Sequence, residues 1–192
     1  MASVQDETVA HVYANAMLDL AFEDGVHAEV LAELRGFAEI LATEPNFADF
    51  LNTPGIQIQA KKDVISRVFG GQISDHTLHF LQIVIDKRRQ GVLQAVIRAF
   101  VDGYHDRMGE LVVHVESAVP LTGSHRNRLE ALLKQKHSKE IILEERVDPR
   151  ILGGLVLKVG DRRIDGSLRT RLKGIGGLLE AARLTSEEYY ED

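Results

Sequence analysis

Residues 148–167 read DPRILGGLVLKVGDRRIDGS and decide the fold of the second half of this chain. Apolar side chains alternate with other residues in this stretch, and a period of two residues is typical of a half-buried strand. The alternating positions are Leu155, Leu157 and Val159, set against Val156 and Lys158. The stretch therefore predicts a strand and contains no group suited to catalysis.

Turn and cap signals follow this strand. Gly160–Asp161 is a turn signal of the kind that hairpins use, and Ile164 resumes the apolar pattern in a short second strand. Ser167 then stands where the N-cap of a helix belongs. The pair Gly153–Gly154 is unusual inside a strand, so it predicts a bulge or the close approach of another backbone.

The first half of the chain carries apolar residues at helical spacing throughout, which predicts a compact helical bundle. Ser3 and Asp6 resemble a capping box, and Ser74 is a second candidate N-cap. The apolar stripes comprise Val9, Val12, Tyr13, Ala16, Met17 and Leu20; Val30, Leu34, Phe37, Ala38 and Leu41; Phe47, Phe50 and Leu51; Val64, Ile65, Val68 and Phe69; Leu78, Leu81 and Ile85; and Leu93, Val96, Ile97, Phe100 and Tyr104.

Near Gly109 the apolar period changes from helical to alternating. The second half predicts strands over 111–116, 140–147 and 151–159, a helix through Leu129–Leu133, and a last helix from Ser167 toward Arg183. The predicted fold class is α+β: an all-α bundle followed by a small α+β domain with a three-to-four-stranded sheet and two helices. The predicted boundaries are 1–105, 106–184 and an acidic, disordered tail at 185–192.

Composition excludes several classes of protein. The chain of 192 residues has no Cys, so it can form neither disulfides nor a thiolate metal site. No stretch approaches the ~20 apolar residues that cross a bilayer. The acidic start MASVQDE lacks a targeting pattern, which predicts a protein that stays in the compartment where it is made.

Charge is distributed unevenly along the chain. The net charge is −6, and residues 1–105 carry 8 Lys and Arg against 14 Asp and Glu. An acidic half repels nucleic acid and anionic lipid, and it suits a basic or amphipathic protein partner. Simple solubility is an equally good explanation of the same charge.

Motifs that could carry chemistry are weak. Gly174–Gly177 lacks the Gly-Lys-Ser/Thr of a phosphate loop, and helix packing or fraying explains it better. His76 and His79 share a helical face, yet a metal site needs further ligands, so two polar surface histidines are favoured. Lys87–Arg89 suits the C-terminal end of a helix better than nucleic-acid binding. We expect no catalytic, cofactor or metal site.

Three stretches of the chain resemble the δ subunit family of F-type ATP synthases, whose mitochondrial counterpart is the oligomycin-sensitivity-conferring protein. One runs from Arg88–Arg89 to Pro120–Leu121, and another is Tyr13–Met17 in the first helix. The third matches the family's C-terminal signature at Val147, Asp148, Ile151, Gly153, Gly154, Leu155, Leu157, Lys158, Gly160, Asp161, Ile164, Asp165 and Ser167.

The resemblance implies a non-catalytic stator subunit in the peripheral stalk, which holds no cofactor, resists rotor torque and helps couple proton transport to ATP synthesis. One copy per complex would lie at the cytoplasmic side of a bacterial plasma membrane. The helical bundle would bind the N-terminal helices of α subunits, and the α+β domain would bind the C-terminal helices of b subunits. The small residues Ala10, Ala14 and Ala16 suggest a groove on the first helix. Carried over, the family's groove involves Tyr13, Ala14 and Met17, with Leu78, Leu81 and Ile85 as neighbours.

Two alternatives remain open from the residues. One is a free-standing helical adaptor between proteins, unrelated to ATP synthase. The other is an enzyme that uses His76 and His79 or the glycine cluster.

Overall fold

A computed structural model describes residues 4–160, 162–173 and 175. They divide into two compact units, Met1–Met108 and Gly109–Asp192. Several sequence predictions lie outside the described residues: the cap at Ser3, the turn residue Asp161, three glycines of the cluster (Gly174, Gly176 and Gly177), and the tail at 185–192.

The first unit is helical throughout its described residues, as the sequence predicts. Its helices are α1 (Val4–Glu23), α2 (His27–Thr43), α3 (Pro45–Asn52), α4 (Ile58–Phe69), α5 (Asp75–Asp86) and α6 (Leu93–Arg107), with a 3₁₀ turn at Gln90–Val92. The most extensive helix–helix contact is between α1 and α6. The core of the first unit contains Leu34, Ile65 and Phe100, which are all fully buried.

Helix α1 buries a different face from the one that the sequence predicts. Val12 and Leu20 belong to the predicted apolar stripe, but both are exposed. The two helices approach closely near Gly103 of α6, where an added Cβ would lie 2.5 Å from Cδ1 of Leu18. Such an approach requires small side chains, so alanines carry the core face of α1. That face consists of Ala10, Ala14, Met17, Leu18 and Ala21.

Helix α5 begins at the predicted N-cap, Ser74, and is anchored there to α2. The Ser74 hydroxyl accepts a hydrogen bond from the Thr77 amide at 3.4 Å. The Glu33 carboxylate of α2 accepts from the Ser74 amide at 2.5 Å, from the Ser74 hydroxyl at 2.7 Å and from the Thr77 hydroxyl. A carboxylate at this position also faces the positive end of the α5 dipole.

The end of helix α3 is capped by a buried lysine of α4. Lys61 is only 3% exposed. Its Nζ donates to the carbonyl of Leu51 at 2.6 Å and to that of Thr53 at 2.8 Å. The last carbonyls of a helix have no partner within the helix, so this ammonium group satisfies them and joins two helices.

Replacing this lysine should destabilise the first unit. Lys61→Met keeps much of the side-chain volume but leaves the Leu51 carbonyl without its Lys61 partner and the Thr53 carbonyl with the Ile56 amide at 3.4 Å. This loss should cost about 2 kcal/mol in the free energy of unfolding. Urea denaturation of the full chain measures the loss. The matched control is Lys62→Met, which removes only an exposed ion pair with Asp86 (3.1 Å) and should cost under about 1 kcal/mol. Equal losses in the two variants would contradict this role.

The second unit is a mixed sheet with helical segments. Its elements are β1 (Glu110–Ser117), α7 (Gly123–His137), β2 (Glu140–Val147), a 3₁₀ turn at Pro149–Ile151, β3 (Leu155–Val159), β4 (Arg162–Asp165) and helical residues 168–173. The four described strands lie in the order β2-β1-β3-β4. Strands β1 and β2 are parallel and joined through α7, whereas the β1–β3 and β3–β4 pairs are antiparallel. The predicted α+β class is therefore confirmed.

One face of this sheet forms the core of the second unit with α7. Val113 and Val115 of β1 are fully buried, and Ile141 and Leu133 pack with them from β2 and α7. In the register of the sheet Val113 lies opposite both Leu143 and Val159. The alternation of β1 therefore follows the predicted period of two.

The third strand starts later than the sequence predicts. We expected it from Ile151, but Ile151 lies in the 3₁₀ turn and β3 begins at Leu155. The three residues before Leu155 have positive φ angles, which interrupt an extended strand. The helix that we expected after Ser167 is present over residues 168–173.

Candidate partner-binding surfaces

An apolar groove of about 360 Å³ lies between α1 and α5 on the first unit. It is partly open to solvent, and hydrocarbon or aromatic side chains form most of its wall. Grooves of this kind accept the apolar face of an amphipathic helix. The lining residues are Tyr13, Ala16, Met17 and Leu20 from α1, and Asp75, His76, His79, Phe80 and Ile83 from α5.

The groove exists because both helices carry apolar residues on two faces. Helix α1 uses its alanine-rich face against α6, which leaves Leu20 beside the groove. Helix α5 buries Val84 and Ile85 in the core, while Ile83 remains half exposed toward the groove. The second apolar face on each helix has no cover among the described residues.

The structure separates the predicted partner-binding residues into two groups. Tyr13 and Met17 line the groove, although Met17 is only 3% exposed and also belongs to the core face of α1. Ala14, Leu81 and Ile85 are fully buried in the core, so a partner cannot reach them without unfolding the bundle. Leu78 is half-buried and packs against the same core. Ala14, Leu81 and Ile85 are unavailable to a partner because the strongest apolar stripe of each helix packs into the core of the bundle.

Several groove residues escaped the sequence analysis. The sequence does not assign Leu20, His76, Phe80 or Ile83 to a partner, yet all four line the groove, as does Ala16, one of the small residues that suggest a groove. The signal that could have found them is the excess of apolar positions over those that one helical face can bury. Each helix carries apolar residues around more than half of its circumference, and the outer part of that surface lines the groove.

The two predicted surface histidines lie at the groove. Nε2 of His76 is 2.8 Å from Oδ2 of Asp24, so the start of α5 is linked to the residue that follows α1. His79 is one turn further along α5 and also lines the groove. No cluster of three His, Cys, Asp or Glu side chains suited to a metal ion occurs in the described part of the chain.

The paired glycines of the second unit lie at a close approach between two backbone segments, as the sequence predicts. Gly154 has a φ of +81°, and a Cβ added to it would lie 2.3 Å from the carbonyl oxygen of Gly166. The Gly166 amide donates to the Leu155 carbonyl at 2.9 Å, and the Leu168 amide donates to the Gly153 carbonyl at 2.9 Å. These contacts fix the start of β3 against the helical residues that follow β4.

Ser167 caps those helical residues, as predicted. Its hydroxyl accepts from the Thr170 amide at 3.2 Å. Asp165 supports the cap, since its carboxylate accepts from the Ser167 amide at 2.9 Å and from the Thr170 hydroxyl at 3.0 Å. The hydrogen bonds from Ser167, and then that from Thr170, hold the pKa of Asp165 below its ordinary value.

The other described signature residues also organise the backbone. Arg150 donates to Asp148 from its amide at 3.0 Å and from Nε at 2.9 Å, and these bonds lower the pKa of Asp148 to about 2. Gly160 has a φ of +55° at the turn between β3 and β4. In the described chain the signature residues therefore act on local structure, with no arrangement suited to catalysis.

The second unit also exposes apolar side chains close to residues 152–154, the loop before β3, which we call the signature loop. Leu168, Leu172 and Ile175 recur at helical spacing and are exposed. Leu152 is exposed too, and the neighbouring Gly153 lies against Leu168. We call Leu152, Leu168, Leu172 and Ile175 the apolar strip. None of the described helices is long and apolar enough to cross a membrane.

Comparison with known proteins identifies similar sequences and folds. The family model described as "ATP synthase delta (OSCP) subunit" matches residues 9–179. "ATP synthase subunit delta" of Symbiobacterium thermophilum is 38% identical over 170 residues, covering 88% of this chain and 91% of that protein. The protein of the same name from Alkaliphilus oremlandii is 34% identical, covering 86% and 92%. A chain of the Toxoplasma gondii mitochondrial ATP synthase hexamer shares the fold, with a TM-score of 0.66 at 19% identity, covering 88% of this chain and 96% of that one.

Proposed function

The chain belongs to the ATP synthase delta (OSCP) subunit family, and on that basis we propose that it joins the catalytic head to the b subunits. It is a non-catalytic subunit of the peripheral stalk of an F-type ATP synthase, a membrane-associated complex. The bacterial relatives support a location at the cytoplasmic side of a bacterial plasma membrane. One copy per complex is what the family resemblance implies.

The first unit binds the head through the α1–α5 groove. Its occupant is the amphipathic N-terminal helix of an α subunit, as the family resemblance implies. The observation that carries this assignment is the groove itself, whose apolar wall includes the half-exposed Leu20 and Ile83. Burying such side chains against a partner helix contributes about 25 cal/mol for each Å² removed from water.

The second unit binds the C-terminal helices of the b subunits. Its apolar strip supports this assignment, because three of the four residues lie on one helical face. A helix of the b subunit that covered Leu168 and Leu172 would bury them beside the signature loop, whose backbone is held by Gly153 and Gly154.

Two contacts of this kind suit a protein that resists torque. When the rotor turns, the catalytic head must be kept from turning with it, and the stalk supplies the resistance. Linking two modest helix contacts in one chain raises the effective concentration of the second contact after the first has formed. The subunit therefore needs grooves and apolar faces, and it needs no active site.

Peptide binding tests the groove assignment. A peptide with the N-terminal sequence of the α subunit should bind the full chain, and Ile83→Gln should weaken it by about 1–2 kcal/mol, or roughly 5- to 30-fold, by placing an amide in the apolar wall. Calorimetric titration measures the affinity. Val68→Gln is the matched control, since Val68 is 47% exposed on α4 and Ile83 is 50% exposed on α5. Equal affinities for both variants would reject the groove as the binding site.

Co-purification separates this function from that of a free-standing adaptor. Detergent extracts of membranes should yield the chain together with the α and b subunits. Removing the chain should release the catalytic head from the membrane. A chain that is recovered without either subunit would contradict the proposed role.

A further inference from the structure

The helices that form the groove are acidic and carry no Lys or Arg between Val4 and Glu23 or between Asp75 and Asp86. Their acidic residues are Asp6, Glu7, Asp19, Glu23, Asp75 and Asp86. Asp19 is paired with Arg107 of α6, and Asp86 is paired with Lys62 of α4. Helices α1 and α5 still bring more acidic than basic side chains to the groove, whose lining includes Asp75.

The excess is concentrated where α1 ends and α5 begins. Asp24 follows the last residue of α1, and Asp75 is the first residue of α5 and lines the groove. The carbonyl end of the α1 dipole adds partial negative charge at the same place. The opposing positive end of α5 is already met by Glu33 and Ser74. We call this part of the groove, marked by His76, its acidic end.

We propose that the helix bound in this groove carries Lys or Arg beside its apolar stripe, with one basic side chain placed against Asp24 and Asp75 at the acidic end. This inference rests on the proposed function and specifies the chemistry of its partner. Apolar contact supplies most of the affinity in such a complex. Complementary charge sets the register of the bound helix and raises the association rate.

The same charges argue against the groove helices of a second copy of this chain as the occupant. Helices α1 and α5 carry only acidic side chains among their charged residues, apart from histidine. Like charges placed in contact across an interface are unfavourable. The groove is therefore suited to a basic helix.

Three peptides test the inference on the full chain. One has the N-terminal sequence of the α subunit. The other two are synthetic helices with the same leucine stripe, flanked by lysine in one and by glutamate in the other. We expect the lysine peptide to bind roughly 10-fold more tightly than the glutamate peptide at low salt. The difference should shrink as salt screens the charges.

Paired substitutions locate the effect. Asp24→Asn with Asp75→Asn should remove most of the preference for the lysine peptide. Glu39→Gln with Asp49→Asn changes the same charge on α2 and α3, outside the groove lining, and should leave the preference intact. Thermal melts show whether the variants fold, and the salt series tests the inference without any substitution.

The outcomes distinguish the inference from the proposed function. Tight binding of the α-subunit peptide with no salt dependence and no preference for lysine would overturn the inference alone. Binding of the lysine peptide without the α-subunit peptide would overturn the choice of partner and support the inference. If none of the three peptides binds, both are wrong. Self-association that competes with the peptides would also overturn the inference.

Discussion

Ala14→Asp is expected to unfold the first unit, whereas Ala16→Asp, two residues further along the same helix, should leave it folded and weaken binding of the proposed α-subunit helix. Ala14 is 0% exposed and lies in the core face that α1 presents to α6. An aspartate there would be a buried charge without a partner, and such a change costs about 3–5 kcal/mol. That is a large part of the stability of a typical domain.

Ala16 is exposed and lines the groove. An aspartate there remains solvated in the free protein, so the helical circular dichroism and the melting temperature should stay close to those of the unchanged chain. Binding of the α-subunit peptide should weaken by about 1–3 kcal/mol, because the partner's apolar face would then cover a charge. A folded Ala14→Asp variant would contradict the burial of this face, and an unchanged affinity of Ala16→Asp would contradict the groove assignment.

Gly154→Ala should disrupt the second unit by about 3 kcal/mol or more. The left-handed backbone at this residue alone costs a side chain roughly 1–2 kcal/mol. The new Cβ would also lie 2.3 Å from the Gly166 carbonyl oxygen, which is backbone and cannot rotate away. The loop would have to move, breaking the hydrogen bonds from Gly166 to Leu155 and from Leu168 to Gly153. Denaturation monitored by amide hydrogen exchange of β3 measures the effect.

Gly123→Ala is the matched control for this substitution. Gly123 is the first residue of α7, and a Cβ added to it meets nothing within 4 Å. The same substitution at this position should raise the free energy of unfolding by up to about 1 kcal/mol. A loss similar to that of Gly154→Ala would show that the close approach to Gly166 does not decide the stability of this unit.

The sequence predicted features that depend on local sterics. Ser74 and Ser167 were identified as caps because a cap depends on residues within one turn. The pair Gly153–Gly154 predicted a bulge or a close approach because glycine is unfavourable inside a strand, and Gly154 lies at such an approach. The alternation in β1 predicted its buried face, since one side of the sheet is covered by α7 and the pattern has no competing period.

The sequence could not decide which apolar face of α1 is buried. Hydropathy favours the larger residues Val12 and Leu20, but the close approach to Gly103 of α6 favours alanine. The preference for alanine arises from a residue more than eighty positions away in the sequence, so the local pattern of apolar residues cannot predict it. The contacts of Glu33 with Ser74 and of Lys61 with the end of α3 are likewise set by the packing of separate helices.

The hydrogen bonds between Glu33 and the start of α5 affect the entropy that is lost when a partner binds. They tie one wall of the groove to α2, while the link from His76 to Asp24 ties that wall to the end of α1. Both links are already present in the free chain, so we expect the wall of the groove to keep its position when the proposed partner binds. The entropy lost on association should then come chiefly from ordering the incoming helix. A contact that forms without rearrangement of its binding surface can transmit force with little displacement.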